Sequence, residues 1–261
     1  MLLSKKIPFP DIFRNRENRS WYRYFSPQGF FPLTTAPIPW LAVAAFIFCI
    51  AGLSLGLSVA PADLRQGEVA RIVFVHVPAS LVSILIYLAA AAAAAIGLVT
   101  HARLATMTAL ALAPTGLMLA FLGVWTGSLW TKSIWGTWWA GDLHAYSELA
   151  LALLYVGFIG LHGAIESPQV ANKAGAWLLL AGVLTIPINL VAAPAWTSGH
   201  LTATHGVAGF GASVGELSGL LAMSLGFLLY AGAAALLRLR CEILEGERES
   251  DWVTRRGSSL P

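Results

Sequence analysis

The chain has 261 residues, of which 57% are hydrophobic and only 11% charged, and its mean hydropathy is +0.71. A soluble domain carries about 25% charged residues, so this composition excludes an ordinary soluble protein and predicts one that crosses a membrane several times. The net charge of +3 does not indicate a nucleic-acid partner. The basic residues lie at the chain ends and in short connections, where they orient a protein in a membrane.

Six apolar runs follow one another along the chain. They cover residues 39–60, 76–99, 104–127, 146–165, 174–193 and 213–237. Because these runs are too long for barrel strands and backbone groups in lipid must be satisfied internally, they are predicted to be helices. Pro114 and Pro187 are expected to kink the third and the fifth. The sequence therefore predicts an all-α polytopic membrane protein, with a six-span domain at 39–237, an N-terminal flank at 1–38 and a tail at 238–261.

The distribution of Lys and Arg predicts the sidedness of these spans. Six of these residues precede the first run and five follow the last, and the even-numbered loops carry Arg103 and Lys173. The odd-numbered loops carry only Arg65, Arg71 and Lys132. By the positive-inside rule both termini are cytoplasmic and the odd-numbered loops face outward. The N-terminal flank lacks the apolar core and cleavage site of a signal peptide, so it is expected to remain as a basic cytoplasmic segment.

This topology divides the six histidines into two groups. His101 and His162 fall at the inner ends of spans, and the outer group consists of His76, His144, His200 and His205. Two neutral imidazoles can ligate one metal ion or occupy both axial positions of a haem iron. A single outer site built from histidines is therefore geometrically allowed, whereas a site that uses all six is not.

A tryptophan-rich segment lies on the same outer side. Trp135, Trp138 and Trp139 fall within five positions and are followed by Asp142. Isolated tryptophans at a membrane boundary are usually interfacial anchors, but anchors need no such clustering, and a flat apolar porphyrin would need an aromatic surface of this kind. Asp142 is expected either to cap the fourth span or to organise a docking surface.

The outer basic residues and two glutamates are interpreted separately. Arg71, Arg65 and Lys132 are the basic residues available to porphyrin propionates. Glu148 and Glu216 are interpreted as solvated charges that the helix dipole favours at the start of a helix. A position inside the membrane would instead make these two glutamates candidates for function.

The sequence lacks motifs that several other classes of protein require. Cys49 and Cys241 form neither CxxC nor CxxCH, and neither HExxH nor GxxxxGK[ST] occurs. The nearly charge-free spans argue against ion-coupled transport, although a six-helix facilitator for a small solute remains an alternative. A quinol-linked oxidoreductase would need histidine pairs deep in facing spans, whereas the histidines lie at span ends.

Three segments resemble the haem-handling membrane proteins with a tryptophan-rich WWD motif, and among them the haem exporter protein C (CcmC) family. They are RIVFVHVPAS at 71–80, WGTWWAGDLHAYSELALALLYVGF at 135–158 and AWTSGH at 195–200. The resemblance covers roughly residues 40–237. Three positions depart from the family pattern. Gly141 replaces a Trp before the Asp, His144 replaces a basic residue, and LTATHG rather than Gln-Gly follows His200.

The resemblance implies a non-enzymatic protein of the bacterial inner membrane that binds haem b transiently at its outer face. It implies delivery of haem to the chaperone CcmE, assisted by the ABC-type CcmA–CcmB complex and the small subunit CcmD. The implied axial ligands are His76 and His200, with His205 and His144 as alternates. The implied haem-contacting residues are Trp135, Gly136, Trp138, Trp139 and Asp142, and Arg71 is the first choice for a propionate. A longer cytochrome c synthase component of the CcsA or CcmF type is the alternative in the same group of proteins.

Overall fold

The computed structural model describes residues 25–59, 67–139, 141–190 and 214–257. These residues are almost entirely helical, and no β-sheet occurs among them. The α-helices are α1 (Pro27–Phe30), α2 (Pro37–Ser54), α3 (Val73–Thr100), α4 (Arg103–Trp135), α5 (Leu143–Ala164), α6 (Pro168–Gly182), α7 (Val214–Gly246) and α8 (Asp251–Gly257). Short 3-10 turns lie at Phe31–Thr34 and Glu68–Ile72, and a π turn at Leu55–Val59 extends α2.

Six helical segments of the described chain are long and apolar enough to cross a membrane, which confirms the six predicted spans. Two of them continue eight or more residues past the C-terminal ends of their apolar runs. The third continues to Trp135 and the sixth to Gly246. The added residues are more polar but contain no proline, so the backbone ladder continues past the apolar part. The third helix ends where Gly136 adopts φ +74°, a left-handed conformation that suits a glycine after a helix.

The fifth span is interrupted after α6 and resumes as helix over 185–190. Pro187 lies four residues after Val183 and has no N–H to donate to its carbonyl. The Val183 carbonyl instead accepts a tighter bond from Ile186 N, at 3.1 Å. The fifth span is therefore interrupted about one turn before Pro187, whereas α4 passes through Pro114 as one continuous helix.

The core lies between α3, α4, α5 and α6, and two tyrosines cross-link it. Tyr87 and Tyr155 are fully buried, with ring centroids 5.2 Å apart in an edge-to-face arrangement. The Tyr155 hydroxyl donates to the Ser83 carbonyl at 2.8 Å, and the Tyr87 hydroxyl donates to the Leu179 carbonyl at 3.1 Å. In lipid, where helices gain little from excluding water, such bonds and close packing hold the bundle together.

The two ends of the bundle differ in charge. At one end, Arg240 donates to the Phe31 carbonyl and to the hydroxyls of Thr34 and Thr35. Arg103 pairs with Glu247 at 2.7 Å. The start of the described chain, the α3–α4 connection and the C-terminal residues therefore lie together, as the predicted sidedness requires.

The described histidines fall at the two ends as the sequence predicts. His101 and His162 lie at the basic end, whereas His76 and His144 lie at the opposite end, where α3 and α5 begin and α4 finishes. His200 and His205 lie outside the described residues, as does the flank before residue 25. Which end faces outward remains a prediction from the positive-inside rule.

Candidate functional site

The loop at 136–142, called here the tryptophan loop, is closed by a cap at each end. Gly136 N donates to the Lys132 carbonyl at 3.1 Å, and Lys132 Nζ donates to the Gly136 carbonyl at 2.8 Å. The Asp142 carboxylate accepts from Ala145 N at 2.8 Å, which confirms its capping of the fourth span. Gly141 has φ +71°, a left-handed conformation that explains why a glycine stands here and that would strain a tryptophan.

Beneath this loop lies an open cleft between α3, α4 and α5. Its empty space, including the part open to the exterior, is ≈ 350 Å³. The lining residues come from three helices and the loop: His76, Val124, Gly127, Ser128, Thr131, Trp138, Trp139, Asp142, His144, Ala145 and Glu148. The cleft thus brings together four residues proposed from the sequence as one outer site (His76, His144, Trp138 and Trp139), together with Asp142.

His76 is buried in the first turn of α3 and is held in a defined orientation. Its Nδ1 lies 3.0 Å from the Gly123 carbonyl and 3.2 Å from Thr126 Oγ1. Because a carbonyl oxygen only accepts, Nδ1 carries the proton in the neutral ring, and the lone pair is on Nε2. Nε2 lies 3.7 Å from Glu148 Oε1. The Nε2 of His76, which carries the lone pair, therefore faces the inside of the cleft.

Glu148 is buried, with 6% of its surface exposed, so the interpretation of this residue as a solvated charge is wrong. Its Oε1 lies 3.6 Å from His144 Nε2 and accepts a short hydrogen bond from the Ser80 hydroxyl. The i, i+4 spacing of His144 and Glu148 puts both on the face of α5 that packs against α4. Glu216, in the first turn of α7, is half-buried.

Two glycines of α4 provide the space for these polar side chains. A Cβ added at Gly127 would lie 3.2 Å from His76 Cε1 and 3.8 Å from Glu148 Oε2. One added at Gly123 would lie 2.6 Å from Ser80 Oγ. Larger residues at these positions would push His76, Ser80 and Glu148 away from α4 and distort the cleft.

A buried polar chain ties His144 to the fifth span. Asn189 Nδ2 donates to Ser147 Oγ at 2.9 Å, and the Ser147 hydroxyl donates to the His144 carbonyl at 2.8 Å. The imidazoles of His144 and His76 are 6.0 Å apart between ring centroids. Asn189 therefore positions the start of α5 relative to the cleft.

An exposed column of stacked aromatic rings leads to the mouth of the cleft. Trp138 stacks on Trp125, and Trp125 stacks on Phe121, with centroids 6.4 Å apart in each pair. Trp138 is 53% exposed, and Trp139 contacts Tyr146 edge-on at 5.6 Å. Isolated interfacial anchors would not form such a column. Its rings offer a continuous flat apolar surface.

Trp135 and the basic residues proposed from the sequence lie around the cleft. Trp135 packs edge-on against Trp130 at 5.1 Å and does not line the cleft. Lys132 Nζ lies 5.7 Å from the Trp138 ring. Arg71 lies before the first turn of α3, with its Nε 2.8 Å from Glu68 Oε2. Arg65 lies outside the described residues.

Sequence reasoning undervalued Glu148 and missed Ser80 and Asn189 as parts of this site. The spacing of His144 and Glu148 was a usable signal, because residues four apart share a helix face. Ser80 and Asn189 gave no such signal, because a serine or an asparagine in an apolar run can serve helix packing as well as a functional site.

Comparison with known proteins gives a consistent result. A family model described as Heme exporter protein C matches residues 20–254. The chain is 38% identical to Heme exporter protein C of Escherichia coli (strain K12) over 217 residues, which is 83% of this chain and 88% of that protein. It is 36% identical over 221 residues to the protein of the same name from Bradyrhizobium diazoefficiens, covering 84% of this chain and 83% of the relative. The Haemophilus influenzae protein of that name is 30% identical over 247 residues, 91% of this chain and 97% of the relative.

Proposed function

The chain belongs to the haem exporter protein C family, and from this membership and the geometry of the cleft we propose that it is a haem-binding membrane protein of cytochrome c maturation. Its task is to hold haem and pass it on, without breaking or forming covalent bonds in a substrate. We place it in the bacterial inner membrane, with the cleft on the periplasmic side.

The observation that carries this proposal is the tautomer and the orientation of the His76 ring. Its Nδ1 is committed to the Gly123 carbonyl, so Nε2 presents a lone pair inside a cleft whose mouth is lined by indole rings. A haem site supplies an axial ligand such as an imidazole nitrogen to the iron, apolar surface to the ring and cations to the propionates. The hydrogen bond on Nδ1 also fixes the tautomer and the orientation of the ring.

Other residues at the cleft can contact the porphyrin ring, the propionates and the second axial position of a haem. Trp138 and Trp139 supply an aromatic face, and Lys132 beside Trp138 supplies a cation at the mouth. Arg71 precedes His76 by five residues and is the first candidate for a propionate, with Lys132 and Arg65 as the others. The opposite axial position is assigned to His200, with His205 as the alternate, and His144 is the third candidate because it already lies in the cleft.

Release of haem completes the proposed role. The site opens at the end of the bundle rather than in its middle, so a soluble-domain acceptor can reach the tryptophan loop. We propose the haem chaperone CcmE as this acceptor, the CcmA–CcmB ABC-type complex as the source of energy and CcmD as a small accessory subunit. Haem b, bound without covalent attachment, is the transported species.

A visible absorption spectrum of the detergent-purified protein tests the proposal. After expression with ample haem and reduction with dithionite, we expect a Soret band and the bands of a low-spin haem with two imidazole ligands. A colourless preparation under these conditions would contradict the proposal and favour a facilitator for a small solute.

The tryptophan loop leads to a second expected result. Changing Trp138 and Trp139 together to alanine removes the aromatic face, and each ring contact contributes about 0.5–1.5 kcal/mol. Haem retention should weaken roughly tenfold, since about 1.4 kcal/mol corresponds to a factor of ten. The measurement is haem content per protein after washing in detergent.

The matched control is the pair Trp40→Ala and Trp177→Ala, which removes two exposed tryptophans outside the cleft. It should leave haem retention unchanged. If the loop variant loses membrane stability while the retained protein binds haem normally, the two tryptophans are anchors and not a haem surface.

The membrane orientation gives a third expected result. A reporter that is active only in the cytoplasm should work when fused at the C-terminus and should be inactive when fused after Lys132. Fusions expressed in intact cells and compared at equal protein level measure this directly. Reversed activities would place the cleft on the cytoplasmic side and would overturn haem presentation at the periplasmic face.

A further inference from the structure

Three side chains that ligate metals in proteins converge at the base of the cleft. They are His76 from α3 and His144 and Glu148 from α5, and all three are buried. One ligand atom from each lies within 4.8 Å of the others. From this geometry we propose that in the haem-free protein His76, His144 and Glu148 form a binding site for a divalent first-row metal ion of the Zn²⁺ type, which takes the His76 Nε2 position that haem iron would otherwise occupy.

The electrostatics of the cluster favour a cation. The Nε2 of His76 carries a lone pair, because its Nδ1 faces the Gly123 carbonyl, and it lies 3.7 Å from Glu148 Oε1. His144 Nε2 approaches the same oxygen at 3.6 Å. Buried charges are paired or coordinate metals, because an isolated buried charge is costly. A divalent cation between the three side chains would balance the Glu148 carboxylate and accept the lone pair of His76 Nε2.

The separations are close to those of a coordinated ion. Zn²⁺ binds histidine nitrogen at about 2.0–2.1 Å and carboxylate oxygen at about 2.0–2.2 Å, which puts tetrahedral ligand atoms roughly 3.4 Å apart. The two distances to Glu148 Oε1, 3.6 and 3.7 Å, exceed this by a few tenths of an ångström. The three ligand atoms lie within 4.8 Å of one another, so metal binding would require the two imidazole nitrogens to move toward each other.

The surroundings also resemble those of a metal centre. Ligating histidines usually donate their other nitrogen to a carbonyl, as His76 does to Gly123, and ligating carboxylates are themselves hydrogen-bonded, as Glu148 is by Ser80. The donor set of two histidines and one carboxylate suits Zn²⁺ and leaves one position open toward the cleft. This open position would take solvent or a small exogenous ligand.

The test uses the full chain in detergent, purified without haem and with an affinity tag that contains no histidine. Zn²⁺ affinity is measured by competition with a fluorescent chelating indicator, and stoichiometry by elemental analysis after desalting. We expect one Zn²⁺ per chain. Glu148→Gln keeps the size of the side chain and its bond from Ser80 but loses a charged ligand, so it should weaken binding at least about tenfold.

Two further variants keep the test decisive. His144→Ala should weaken Zn²⁺ binding to a similar extent, and Co²⁺ added to the unaltered protein should show the absorption of a tetrahedral site that Glu148→Gln lacks. His101→Asn, at the opposite end of the bundle, is the matched histidine control and should bind Zn²⁺ normally. Asparagine tolerates the left-handed φ of 55° found at His101.

The outcomes separate this proposal from the haem-binding role. No Zn²⁺ per chain, or binding that survives both Glu148→Gln and His144→Ala, would overturn the metal site and leave a hydrogen-bonded cluster. Binding that disappears only when His200 and His205 are both replaced would place the ion elsewhere. The Zn²⁺ measurement is made on haem-free protein, so its result does not depend on haem binding. If the chain binds Zn²⁺ but shows no haem in the spectroscopic test, the metal site is upheld and the haem-binding role is contradicted.

Discussion

Replacing His76 with alanine should convert bound haem from a low-spin form with two imidazole ligands to a five-coordinate or water-ligated form. The nitrogen that is lost is the one whose lone pair the Gly123 carbonyl orients into the cleft. We expect haem retention to fall by at least about tenfold, equivalent to about 1.4 kcal/mol. Absorption and electron paramagnetic resonance spectra of the purified variant, together with its haem content, measure both effects.

The His101→Asn variant serves as control, since it also removes an imidazole but at the basic end of the bundle. Its spectrum should match that of the unaltered protein. If His76→Ala still elutes as a folded monodisperse species and its low-spin spectrum is unchanged, His76 is not an axial ligand of the haem iron.

The same spectra assign the second ligand. His200→Ala should change the spin state in the same way as His76→Ala, because AWTSGH keeps the family spacing between Trp and His. A change seen only with His205→Ala would pair His76 with His205. A change seen with neither, but with His144→Ala, would put both ligands inside the described cleft.

Replacing Gly116 with alanine should strongly destabilise the bundle although only one methyl group is added. That methyl carbon would lie 2.2 Å from Cζ and from Oη of Tyr155, a fully buried residue whose hydroxyl bonds to the Ser83 carbonyl. Tyr155 cannot retreat without losing this bond and its contact with Tyr87. Overpacking of this kind costs about 1–3 kcal/mol. Thermal unfolding in detergent, followed by circular dichroism, should show a midpoint lowered by several degrees.

Gly160→Ala provides the matched control on α5. A Cβ at Gly160 meets nothing within 4 Å, and alanine has the higher helix propensity. Its unfolding midpoint should stay the same or rise slightly. If Gly116→Ala is as stable as Gly160→Ala, the close contact between α4 and Tyr155 does not stabilise the fold as the structure implies.

Much of the architecture could be predicted from the sequence, because the membrane simplifies the problem. Backbone groups in lipid must bond within their own segment, so long apolar runs become helices whatever their neighbours are. The six spans and the sorting of His76 and His144 from His101 and His162 followed from run lengths and span ends alone. The cap at Asp142 was foreseeable too, since a capping bond reaches only three residues along the chain.

The exact ends of the helices could not be predicted from the apolar runs. The end of α4 at Trp135 rather than near residue 127 follows from the left-handed Gly136, and no apolar run marks it.

Glu148 shows the limit of sequence reasoning most clearly. Its burial depends on the faces that α3, α4 and α5 turn toward each other, and on the space left by Gly123 and Gly127. Sequence by itself determined which residue types stand at the end of the bundle opposite the basic one. The tertiary structure alone decided that His76, His144 and Glu148 share one cleft, because contacts between residues far apart in the chain depend on how the helices pack.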